Sequence, residues 1–237
     1  MPNPLQMVLW LLSVVLQAGV VVSALARKDA RRYFPLAIYM LTNVLVSVAS
    51  YFVISAYGFR SSEYKAFYSY TDSLLVVALF FAILFLCEQV LSDFDASKYV
   101  RGGAAFLIVA TAAFSYLTVL KNSAQMDSHK LVTELGQNLY FVGVVMVYLL
   151  WGVVTQLRET RTRILQFVFS LGIYFSLLAA AYAMINLFPA STPAVRWIPQ
   201  LASIFLAGSW IHAMVRVAED ARMATAQVVP AQGRGDR

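Results

Sequence analysis

Seven long apolar stretches, separated by short polar connections, fill most of the 237-residue chain. They run over about Leu5–Ala26, Phe34–Tyr57, Phe67–Leu91, Ala104–Leu120, Leu131–Leu157, Ile164–Leu187 and Ile198–Val215. A bilayer-spanning helix needs about 20 mostly apolar residues, and the stretches lie in or near that range. Their apolar runs are continuous rather than alternating in ten-residue pieces, which predicts helices and not barrel strands. The expected fold is an all-α integral membrane bundle of seven transmembrane helices. It forms one domain over residues 1–215, followed by a tail over residues 216–237 whose end is expected to be disordered. The last helix is expected to continue beyond the apolar run as Val215-Arg216-Val217-Ala218-Glu219-Asp220-Ala221-Arg222. Connections of about twelve residues or fewer make consecutive helices antiparallel neighbours and leave no room for an inserted soluble domain.

Composition changes the picture in one respect. Only 13% of residues are charged and 60% are hydrophobic, against roughly 25% charged in a soluble domain. Most of the surface must therefore face lipid. The N-terminal segment has neither a basic start nor a small-residue cleavage site, so the first stretch is expected to be a transmembrane helix and not a cleaved signal.

The charges orient the bundle. Thirteen Lys and Arg fall in the segments Arg27–Arg32, Ser92–Gly103, Arg158–Arg163 and the tail from Arg216, against five in the alternate connections. This asymmetry predicts the N-terminus outside and the C-terminus in the cytoplasm, in a plasma or inner membrane. It also explains the net charge of +6 without nucleic acid, because basic residues at helix ends meet anionic headgroups. Trp10, Tyr57, Tyr64, Tyr68, Tyr70 and Trp197 lie near span ends, as an aromatic belt requires.

Several chemistries find no support. One cysteine, Cys87, cannot build a disulfide framework or a thiolate zinc site. His129 and His212 belong to opposite sides and cannot supply a zinc centre or paired haem ligands. His212 is expected to pack inside the last helix and donate to a carbonyl. Ser209 stands three residues before His212 on one helix, with no nucleophile elbow and no orienting acid. No enzyme, metal site or cofactor is expected.

Seven helices with the N-terminus outside resemble, in outline and over the whole chain, the rhodopsin-like plan. Its motifs have no counterpart here. Lys28, Lys65, Lys98, Lys121 and Lys130 all fall in connections, so no lysine is placed within a span to hold retinal. The last helix lacks Asn-Pro-x-x-Tyr, and the third ends in Glu88-Gln89-Val90 in place of Asp-Arg-Tyr.

Ionisable groups inside a bilayer are costly, so each one is a functional candidate. Asp72 lies about a turn and a half into the third span, with Tyr68 one turn earlier on the same face. Glu134, Gln137 and Asn138 share a face of the fifth span near the same end. With Asn186 and Gln200 they are expected to converge on an outward-facing site that binds a polar, cationic or lipidic ligand, or relays protons. The alternative is that Asp72 and Glu134 sit at the wet interface. At the cytoplasmic side, Glu88 is expected either to snorkel or to pair with Arg158, Arg161 or Arg163 as an ionic latch.

One internal echo adds to this. The second span carries Tyr39, Asn43, Ser47 and Tyr51 at spacing four, and the sixth carries Ser170, Tyr174, Tyr182 and Asn186 on the same spacing, with the apolar Leu178 at the position between Tyr174 and Tyr182. A shift of 135 residues lays Tyr39 on Tyr174, Ser47 on Tyr182 and Tyr51 on Asn186. A parallel repeat of three helices, one linker and three helices would produce this, and so would chance among polar residues that all need interior faces.

The leading expectation is a non-enzymatic sensor, receptor-like or accessory module. A small transporter or proton-coupled carrier is the alternative, and a ligand-free structural subunit the third. Expected partners are the lipid bilayer, a small-molecule or lipid ligand, and a membrane or cytoplasmic protein that carries any output.

Overall fold

The computed structural model describes residues 4–26, 33–58, 61–90, 97–122, 128–156, 162–188, 190, 192–195 and 197–217. These residues form α1 (Pro4–Ala26), α2 (Phe34–Tyr57), α3 (Ser62–Val90), α4 (Ser97–Asn122), α5 (Ser128–Gln156) and α6 (Thr162–Leu187). A single turn, α7 (Thr192–Val195), and a last long helix, α8 (Ile198–Arg216), follow. Six of the helices are long and apolar enough to cross a membrane, and α4 contributes a shorter apolar stretch, Ala105–Leu120. The molecule is an all-helical bundle of the kind expected for a multi-pass membrane protein, with a lipid bilayer as its environment.

Several helices run beyond their apolar runs because local signals place their ends. Pro35 and Pro199 lie at the first positions of α2 and α8, where a missing N–H costs nothing. At the end of α2, Gly58 takes φ 86° and donates its N–H to the Ile54 carbonyl at 2.9 Å. A residue with a Cβ would be strained in that conformation. Helix α3 then begins five residues before its apolar run: the Ser61 hydroxyl accepts the Tyr64 N–H at 3.0 Å and caps the helix. The expected continuation of α8 does not occur. Val217 is extended, with φ −94° and ψ 120°, and its carbonyl accepts two hydrogen bonds from Arg163, at 3.2 Å from Nε and 2.7 Å from Nη2. The tail from residue 218 onward lies outside the described residues.

Packing follows a ring in the order α1, α2, α3, α5, α6, α8 and back to α1. Consecutive helices are neighbours, as short connections require, but α4 stands outside the ring against α5 and, less extensively, α3. Its inward stripe is Thr111, Ser115 and Val119 at spacing four, all buried. The other faces of α4 are lipid-exposed, with Phe106 71% and Leu117 63% open. Within the ring the core is aromatic: Tyr33, Tyr39, Phe80, Phe167, Phe175 and Trp210 are almost wholly buried. Between α5 and α6 the helices meet so closely that a Cβ on Gly143 would overlap the Phe175 ring. Small residues permit such approaches where lipid offers no hydrophobic drive between helices.

Candidate functional site

Asp72 is the eleventh residue of α3, about 15 Å along the helix from its start at 1.5 Å per residue. That depth puts its carboxylate inside the ring, near the end where α3 and α5 begin and α6 finishes. Two tyrosines hold it. The Tyr140 hydroxyl of α5 donates to Oδ1 at 3.1 Å, and the Tyr182 hydroxyl of α6 donates to Oδ2 at 3.0 Å. The two rings stack on each other, with centroids 5.2 Å apart and planes at 25°. Tyr68, one turn before Asp72, interacts with both Asp72 and Tyr182. Hydrogen bonds to a charged acceptor are stronger than neutral ones, so the pair of hydroxyls offsets part of the cost of a carboxylate in lipid.

Helices α3 and α5 are stitched together beside this carboxylate. The Ser73 hydroxyl donates to the Val132 carbonyl at 2.8 Å, and the Thr133 hydroxyl donates to Ser69 Oγ at 3.1 Å. Gly136 makes the approach possible: a Cβ there would stand 3.0 Å from Ser73 Oγ and 3.8 Å from Asp72 Oδ2. Deeper in the ring the Tyr39 hydroxyl of α2 donates to that of Tyr174 on α6 at 3.3 Å. Trp210 of α8 packs against Tyr39 at 6.1 Å and donates its indole N–H to Ser170 Oγ at 2.9 Å. Polar atoms therefore run down α6 from Tyr182 to Tyr174 and Ser170, each met by a different helix.

The expected site residues do not all meet at one point. Gln137 and Asn186 come together, the Asn186 amide donating to Gln137 Oε1 at 3.2 Å across α5 and α6. Asn138 instead turns to α4, where its amide donates to Ser115 Oγ at 2.9 Å. The reason is helical geometry: adjacent residues differ by about 100° around the axis, so Gln137 and Asn138 serve different neighbours. Glu134 is half-buried on α5, and Gln200 half-buried in the first turn of α8.

At the other end of the bundle, Glu88 is half-buried near the end of α3. Arg163 is buried, with its guanidinium on the Val217 carbonyl and 5.8 Å from the Tyr33 ring centroid. Arg158 and Arg161 lie outside the described residues. His212 departs from its expected role: it is exposed, and its Nδ1 lies 3.1 Å from Gln166 Nε2. A side-chain amide on the neighbouring helix takes the place of the expected carbonyl.

Charge balance sharpens what Asp72 can do. In the six long spans and Ala105–Leu120, basic residues occur only as Lys65, Arg163 and Arg216, all in terminal turns. No Lys or Arg residue of these spans stands at the depth of Asp72. Nor do three His, Cys, Asp or Glu side chains come together among the described residues. One carboxylate with two hydroxyl donors and tyrosine rings beside it suits a single positive charge better than a multiply coordinated metal ion.

Of the two clamp residues, Tyr182 entered sequence reasoning only through the internal echo, and Tyr140 was passed over altogether. Its signal was position: it lies well inside the fifth apolar run, whereas tyrosines that merely anchor an interface sit at the ends. Comparison of the chain with protein-family models, curated proteins and solved structures gives no match.

Proposed function

We propose that this multi-pass membrane protein is a non-enzymatic, receptor-like module that binds a small cation at Asp72. The observation that carries the reading is the carboxylate inside the ring, clamped by Tyr140 and Tyr182 from two other helices, with no basic residue of these spans at its depth. The charge asymmetry of the connections supports an orientation with this end of the bundle outside and both Arg163 and the C-terminus on the cytoplasmic side. Gln137 and Asn186, paired near the same end, would line the approach. Any output would leave through the cytoplasmic connections to a separate protein.

The test is a thermal-unfolding series on the purified full-length chain with tetramethylammonium, tetraethylammonium and guanidinium as probes. At least one probe is expected to raise the midpoint of the wild type, because a ligand that binds only the folded state stabilises it by mass action. Asp72→Asn keeps the shape and removes the charge, and should erase that shift. A wild type indifferent to all three probes would sink the reading. A carrier that moves its ligand is the second reading, favoured by the matching register of α2 and α6.

A further inference from the structure

The ring divides into two halves, α1–α2–α3 and α5–α6–α8, joined by α4. Its order places α1 opposite α5, α2 opposite α6 and α3 opposite α8. A half-turn about the bundle axis exchanges every neighbouring pair with another: α1 and α2 with α5 and α6, α2 and α3 with α6 and α8, α3 and α5 with α8 and α1. Across the centre, α2 and α6 meet in matching register. Tyr33 packs against Phe167 with centroids 5.2 Å apart, and Tyr39 meets Tyr174, its counterpart 135 residues on. The two contacts advance together along both helices, so α2 and α6 run parallel. The same shift of 135 carries the buried Tyr33, Leu36, Tyr39 and Met40 onto Val168, Leu171, Tyr174 and Phe175, which are all buried. A group that touches its own counterpart marks a two-fold axis. A two-fold axis relating the two halves would pass between Tyr39 and Tyr174.

The polar clamp crosses the division. Asp72 belongs to the first half, Tyr140 and Tyr182 to the second. Ser73 reaches Val132, and Thr133 reaches Ser69, over the same seam.

We propose that the protein is a carrier of monovalent cations, whose two three-helix halves move against each other about the axis between α2 and α6. Asp72 is the catch between them. Parallel repeats related by an axis along the membrane normal are one plan of secondary transporters, with the ion or substrate site at the interface of the repeats. With its carboxylate free, Asp72 draws Tyr140 and Tyr182 and holds the α3–α5 seam shut. A cation on the same oxygens competes with both hydroxyls and lets the seam part. Of the titratable groups around the carboxylate, Tyr140 from α5 and Tyr182 from α6 donate to it, and Tyr68 from its own helix, Tyr174 from α6 and Tyr39 from α2 interact with it electrostatically. The carrier assignment rests on the reading that Asp72 binds a cation, and takes the second reading, movement of that cation, in place of the receptor-like one.

The experiment uses full-length protein with Cys87→Ala and the pair Ser69→Cys and Thr133→Cys. The native side chains touch at 3.1 Å, close enough for a disulfide to tie α3 to α5. Proteoliposomes carry a trapped pH dye in one arm and take up radiolabelled tetramethylammonium in the other, which separates a proton from an organic cation. The reduced double variant is expected to move one of the two probes and to unfold at the temperature of its parent. Oxidation should bring flux down to that of empty liposomes, reductant should restore it, and Asp72→Asn should abolish it. Flux that persists after oxidation overturns the proposal, as does failure of the cysteines to join. A wild type that shows the cation-dependent thermal shift but moves neither probe overturns the carrier and leaves the binding reading standing. Absence of both shift and flux removes both.

Discussion

The ring closes through two seams that a half-turn would exchange, yet their chemistry differs. At the α3–α5 seam, Ser69, Asp72, Ser73, Thr133 and Tyr140 bond from one helix to the other. At the α1–α8 seam, Gly19 lies against Ile211, and the buried positions of α8 are Ala202, Leu206, Ala207, Trp210, Ala213 and Met214. The buried polar residues of α1, Ser13 and Gln17, bond to each other along the helix at 3.0 Å and not across to α8. Both seams obtain close packing from small residues, which a lipid environment demands. The α3–α5 seam adds directional bonds to this packing. On the carrier proposal the α3–α5 seam is the one that latches, and the α1–α8 seam gives way as the halves pivot about the axis between α2 and α6.

The sharpest way to break that contrast is Asp72→Ala. Two buried hydroxyls lose their acceptor, which costs about 1–3 kcal/mol, and the cation-dependent stabilisation should vanish altogether. Equilibrium unfolding in detergent, with and without tetramethylammonium, reads both effects. Next in size is the pair Gly136→Ala and Gly19→Ala. On the latching seam a Cβ stands 3.0 Å from Ser73 Oγ, and moving that hydroxyl off Val132 should cost roughly 1 kcal/mol. On the α1–α8 seam it meets the tip of Ile211 at 3.1 Å, and since that tip can turn aside the cost should stay below about 0.5 kcal/mol. Equal losses would mean that the seams do not differ in the way described.

Smaller still are Tyr140→Phe and Tyr182→Phe. Each removes one interhelical hydrogen bond of the kind worth about 0.6 kcal/mol in a membrane protein. Because both hydroxyls serve one carboxylate, the double variant should depart from the sum of the singles, and a double-mutant cycle measures that coupling. The narrowest effect is expected from Asn138→Ala, which loosens α4 at Ser115 and leaves the clamp on Asp72 in place. Its unfolding should shift by about 0.6 kcal/mol while cation binding stays at the wild-type level.

The helices were legible because lipid leaves the backbone little choice: an uninterrupted apolar run must bond within itself. Asp72 was legible as a candidate for a related reason, because an ionisable group in a bilayer is costly, with a place at the wet interface as its alternative. What could not be read was its company. Tyr140 and Tyr182 lie 68 and 110 residues away in sequence from Asp72, and only the ring order, with α4 displaced, brings their helices to it. The grouping of Asn138 with Gln137 failed on a detail of azimuth: nothing in the residue types tells which of two adjacent amides faces α6 and which faces α4. The echo between Tyr39 and Tyr174 was visible as spacing alone; the contact between their hydroxyls is what gives it a place in space.

One contact near the other end has a mechanical side. The Arg163 guanidinium, two residues into α6, grips the Val217 carbonyl just after α8. Val217 is therefore leashed to α6 as well as to α8, and in the proposed movement it would ride with the second half of the ring. A fluorophore placed just beyond this leash, paired with one near the start of α1, would act as a pointer on a dial. Its reading would track the angle between the halves, and severing the leash with Arg163→Ala would leave the pointer loose while the dial still turned.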